Sequence, residues 1–148
     1  MRRVSIRSGT STAMSSATLY KFSERSLARL DECDPRLQRI LKEAIRHVDF
    51  SILEGHRDER RQNRMYDEGR SKLRWPDSKH NKTPSLAVDL APHPLDWGNL
   101  ARFAHLAGMC RGIASQMGIK LRWGGDWDRD GELSDNRFND LPHLELDD

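Results

Sequence analysis

Residues 86–91 (LAVDLA) set one aspartate, Asp89, in the middle of an apolar strand candidate. A carboxylate carried toward a core is costly unless a cation, a metal or several hydrogen-bond donors meet it there. The remainder of the chain therefore has to fold so that such partners reach Asp89. His80 lies just upstream, and His143 heads residues 143–146 (HLEL), which alternate like a last strand.

Between these points the helical signals are strong. One helix begins at Ser23 (SERSLARL), where the hydroxyl can cap exposed amides. Asp34 followed by Pro35 is a cap residue before a proline at the first helical position. From there Leu37, Ile40, Leu41, Ala44, Ile45 and Val48 form one apolar stripe. A charged helix is expected over residues 58–68, stopped at Gly69, and a long one over residues 97–117, stopped at Gly118. Residues 50–53 and 120–123 read as further strands, and residues 71–86 as a long loop. The expected fold is α+β: one domain of helices packed on a small, mainly antiparallel sheet.

A chain of 148 residues suits one core rather than two. Residues 1–18, rich in Ser, Thr and Arg, read as a disordered leader, and residues 19–148 as the folded domain. No apolar run is long enough to span a bilayer, and the N-terminus lacks the apolar stretch of a secretory signal. Charge is uneven: residues 1–80 carry 18 Lys/Arg against 12 Asp/Glu, residues 81–148 carry 7 against 11. The acidic second half fits a cation site; the basic first half lacks the interleaved aromatics of a nucleic-acid reader. Cys33 and Cys110 are isolated and read as reduced, buried thiols.

His80, Asp89 and His143 are a candidate metal triad. Catalytic zinc sites use three nitrogen or oxygen ligands and leave a fourth position for water. On an antiparallel sheet, residues from separate strands can converge on one face because side chains alternate. Spacing alone leaves this open, since six histidines generate such patterns readily.

The segments SKHNKTPSLAVDL, RWGGDW and NDLPHLEL, with EGHR upstream, settle the direction. They resemble, in the same order, the zinc peptidases that include D-alanyl-D-alanine carboxypeptidases and phage L-alanyl-D-glutamate endopeptidases. The resemblance runs from about residue 21 to residue 148. It implies zinc on His80, Asp89 and His143, and Asp140, three residues before the last histidine, as general base. It also implies that Arg57 is the cation kept close to substrate, where its guanidinium pairs with a substrate carboxylate or stabilises the tetrahedral state. The stretch between His80 and Asp89 is two residues longer than the compact form, and Leu144 stands where an aromatic is common. Glu145 can share a face with His143 and hydrogen-bond to it.

By this resemblance the substrate is the stem peptide of peptidoglycan and the favoured bond is L-Ala–D-Glu. The alternatives are a D,D-carboxypeptidase acting on D-Ala-D-Ala ends and a non-catalytic wall-binding module. The expected enzyme is a phage endolysin of host lysis: a monomer with no nucleic-acid partner and no stable membrane association. It is made in the host cytoplasm without a signal peptide and reaches the wall after membrane disruption. Asp126, Asp128 and Asp130 (D-x-D-x-D-G) read either as a solvated acidic turn or as the opening of a calcium loop whose twelfth position, Arg137, is not the usual glutamate.

Overall fold

The computed structural model describes residues 20–127 and 140–148. The expected leader, Asp128 and Asp130 lie outside them.

Each helix starts where a side chain answers its free amides. Ser23 Oγ accepts from the Ser26 amide at the head of α1 (Glu24–Leu30). Asp34 accepts from the Arg36 amide, and Pro35 opens α2 (Pro35–Ala44). Asp58 caps α3 (Glu59–Asp67), and Gly69 follows in the left-handed region at φ 77°.

Two helices are shorter than their apolar patterns. Leu37, Ile40, Leu41 and Ala44 are buried on α2, but the helix ends at Ala44. Ile45 and Val48 carry the same stripe onward through turns, where Arg46 and His47 bond three residues back, to Glu43 and Ala44. The long helix α4 (Leu100–Gln116) begins at Leu100 rather than residue 97. Asp96 closes a turn onto Gly98 and Asn99, and the Asn99 side chain caps the Arg102 amide. In both cases local hydrogen bonds end a helix that periodicity would continue.

The strands β1 (Phe50–Glu54), β2 (Ala87–Pro92), β3 (Leu121–Trp123) and β4 (His143–Leu146) form one antiparallel sheet in the order β1-β2-β4-β3. Period-two alternation divides its faces. Val88, Leu90, Leu121, Trp123, Leu144 and Leu146 join the core, which α2 and α4 complete. Burying each of these leucines stabilises the fold by roughly 1.5–3 kcal/mol. On the other face Asp89 pairs with His143, and Arg122 pairs with Glu145. A one-residue slip of β4 would send His143 into the core, so the apolar face locks the register of the polar one.

The loop before β2 is tied down through its backbone. Ser78 and Asn81 cap each other reciprocally around a single 3-10 turn, Lys79–Asn81. Asp34 and Glu32 bond to Ser85, and Arg57 N–H donates to the His80 carbonyl. No helix among the described residues is long and apolar enough to cross a membrane.

Candidate metal centre

His80, Asp89 and His143 come from a 3-10 turn and two neighbouring strands, and their ligand atoms all lie within 4.8 Å of one another. Asp89 Oδ1 stands 3.2 Å from His80 Nε2 and 3.4 Å from His143 Nδ1. The far side of each ring decides what these nitrogens carry. His80 Nδ1 lies 2.7 Å from the Gly55 carbonyl, which can only accept, so Nδ1 holds the proton. His143 Nε2 likewise lies 2.7 Å from Glu145 Oε1 and donates to it. In neutral rings the two inward nitrogens are then bare lone pairs, aimed at a third acceptor. Three converging acceptors repel unless a cation stands among them, and two imidazoles with one carboxylate form a donor set suited to zinc.

The charges agree. Burial opposes the ionised Asp89, yet the nearby His80 charge and hydrogen bonds from both rings hold its carboxyl well below the usual carboxylate range. Burial pulls the His143 imidazolium down, but hydrogen bonds with Asp89 and Glu145 outweigh it and push the ring up to about 9. Glu145 is held down to about 2: its burial is offset by His143 and Arg122. The centre is thus built to hold positive charge.

Asp140 precedes β4 and keeps a third of its side chain accessible, with Oδ2 3.9 Å from His143 Nδ1. Burial and the neighbouring Asp89 raise its carboxyl above the usual range. Gly124 makes this placement possible, because its amide donates to the His143 carbonyl and its carbonyl accepts from the Asp140 amide. A Cβ on Gly124 would stand 2.2 Å from the Asp140 carbonyl oxygen.

Arg57 is 5% exposed and faces the same centre. Its guanidinium donates to Glu54 at 2.8 Å and to Gln62 at 2.9 Å, and reaches Asp89 Oδ2 at 3.4 Å. Most of its donors are therefore committed to protein acceptors. Arg61 also pairs with Glu54, so two arginines hold that carboxylate ionised despite its burial.

His80, Asp89, Asp140, His143, Glu145 and Arg57 line one open cleft of about 690 Å³. Its walls include residues to which sequence patterns assigned no role of their own: Arg61, Ser78, Lys79, Trp97 and Arg122. Trp127 lines it too, with its ring centroid 5.4 Å from that of His143, whereas Trp123 belongs to the core. Asp126 is buried and faces Arg111 at 3.4 Å. His47 pairs with Glu43 on the surface, away from the cleft.

The sequence model of the phage L-alanyl-D-glutamate peptidases matches residues 18–147. The chain belongs to that family. It is 31% identical over 121 residues to the L-alanyl-D-glutamate peptidase of Escherichia phage T5, covering 78% of this chain and 88% of that one. The crystal structure of the L-Ala D-Glu endopeptidase ChiX of Serratia marcescens superposes with a TM-score of 0.69 at 30% identity. That match covers 87% of this chain and 92% of ChiX. As a phage peptidase family member the chain is a hydrolase, and the cleft that gathers His80, Asp89 and His143 is its candidate active site.

Proposed function

We propose that this chain is a zinc-dependent endolysin that hydrolyses the L-Ala–D-Glu bond of the peptidoglycan stem peptide. The observation that carries the reading is the meeting of three acceptor atoms, from His80, Asp89 and His143, on the floor of an open cleft beside Asp140. The names of the phage T5 and Serratia relatives supply the bond.

In this reading His80, Asp89 and His143 hold the zinc. The ion supplies a Lewis acid for the scissile carbonyl and makes water more acidic. Asp140, accessible and with a raised carboxyl, takes a proton from the attacking water and passes it to the leaving amine. Glu145 and the Gly55 carbonyl fix the two imidazoles in the metal-binding tautomer. Arg57 orients Asp89 and keeps positive charge near the oxygen that becomes negative in the tetrahedral state. Residues 19–148 form the peptidase domain, acting as a monomer on the wall once the membrane is breached.

Incubating purified peptidoglycan with the zinc-loaded protein and with Asp140→Ala, then reading the released termini by mass spectrometry, tests this. New N-terminal glutamate released by the wild type alone is expected. Free D-Ala would instead mark a carboxypeptidase, and no release at all a wall-binding module.

A further inference from the structure

Glu145 is the hub of a charged cluster on the cleft wall. Its Oε1 accepts from His143, while its Oε2 accepts from Arg122 Nη2 at 2.8 Å and lies 3.5 Å from Lys79 Nζ. Two cations thus share one carboxylate oxygen, and the trio keeps a surplus of positive charge. Lys79 also donates to the Leu146 carbonyl. Both cations stay partly accessible, at 28% and 34% of their side chains, and both line the cleft.

Arg122 is not saturated by this pairing. A guanidinium offers five donors in a planar fork. Its Nε has no hydrogen-bond partner among the described residues, and its flat face lies 5.2 Å from the Trp127 ring centroid. The pairing with Glu145 runs through Nη2, so the fork does not close on that carboxylate in two-pronged fashion.

Position matters as much as charge. Glu145 lies two residues along β4 from His143, and Arg122 is its cross-strand partner on β3. Two residues along a strand and one strand across place that pair roughly 8 Å from the metal-binding end of β4. Arg122 starts there and Lys79 starts on the 3-10 turn next to His80, so both long cationic side chains border the cleft within reach of a residue adjoining the metal-binding end. A glutamyl residue joined through one of its carboxyls keeps the other free and anionic. Among the other cleft cations, Arg57 and Arg61 both serve Glu54, and Arg70 pairs with Glu68.

We propose that Lys79 and Arg122 form a carboxylate-recognition subsite that selects a glutamyl residue with a free acid group on the amine side of the cleaved bond. This rests on the peptidase reading above and names the group that sets its specificity.

The test compares two stem peptides, one with the free glutamyl carboxylate and one with that group amidated. Wild type, Lys79→Met and Arg122→Gln are assayed as zinc-loaded full chains, with Arg122→Lys as the milder variant. Wild type should cut the acid form with a kcat/KM about tenfold or more above the amide form. In Lys79→Met and Arg122→Gln that ratio should collapse toward unity while bound zinc stays at the wild-type level. Arg122→Lys should fall between, because it keeps the charge and loses the fork. A merely structural role would lower both substrates together and leave the ratio intact, which overturns the proposal. Equal cleavage of both peptides by wild type also overturns it and leaves the peptidase reading standing. Cleavage of neither peptide removes that reading and the subsite with it.

Discussion

Nε2 of His80 and Oδ1 of Asp89 face each other across 3.2 Å, although His80 has already given its ring proton to the Gly55 carbonyl on the opposite side. Two acceptors held so close by a rigid turn and a strand need a proton or a metal ion between them, and His143 aims a third ligand atom at the same point. Four consequences can be measured.

Metal binding should stabilise the fold itself. An ion that binds only the folded chain adds about 4 kcal/mol at a thousand times its dissociation constant. For a domain of this size that amounts to a rise in Tm of roughly 10 °C. Thermal unfolding in chelator and after zinc addition checks it, and a Tm indifferent to both would sink the metal site. His80→Ala should lose most of the shift.

Replacing Asp140 should separate chemistry from metal binding. Asp140→Asn keeps the size and removes the base, so kcat should fall by roughly 10²–10⁴ while zinc content stays unchanged. Burial and Asp89 raise this carboxyl in the metal-free chain, and protonating it in the loaded enzyme removes the base, so the wild-type rate should fall on the acid side and Asp140→Asn should abolish that acid limb. An acid limb that survives the substitution would assign the proton transfer elsewhere.

Without metal, the His143–Asp89 pair should make stability depend on pH. The folded imidazole is raised to about 9, above its unfolded value of about 6.5. Its contribution is therefore complete below about pH 6.5 and disappears as pH rises toward about 9. Calorimetry in chelator should show Tm declining over that window, and His143→Gln should flatten the decline. Zinc affinity should move the opposite way, since the ion displaces the same proton. A chelated wild type that gains stability across this window contradicts the assignment.

Gly55 should prove necessary for His80. A Cβ at this position would meet the Arg29 carbonyl at 2.5 Å, so Gly55→Ala must shift the backbone that carries the acceptor for His80 Nδ1. Overpacking of this kind costs about 1–3 kcal/mol. Losing the orienting bond should weaken zinc binding by about 10–100-fold. Denaturant melts of the chelated protein and competition with a zinc indicator separate the two effects.

Much of the site could be read along the chain because its chemistry is local. An aspartate within AVDL declares that something must neutralise it, and the order of the matching segments pointed to His80, His143 and Asp140 before any geometry was known. Capping did the same for the fold: Ser23 and Asp34 stand one residue before the two helices they start. Arg57 was legible as a cation of the site, but its engagement with Glu54, Gln62 and Asp89 was not. The place of Lys79, Arg122 and Trp97 in the cleft was not legible, since a basic or aromatic residue at a loop or strand edge looks the same in sequence whether it meets solvent or a cleft.

The amino-acid order by itself determined which segments become helices and strands and which residue types bind a metal, because caps, periodicity and ligand chemistry act over a few residues. Tertiary structure alone decided that Asp89 and His143 become cross-strand neighbours, that His80 spends its ring proton on the Gly55 carbonyl, and that Lys79 and Arg122 share Glu145. Those relations join residues far apart along the chain. They exist only because the apolar face of the sheet, packed on α2 and α4, holds every strand in one register.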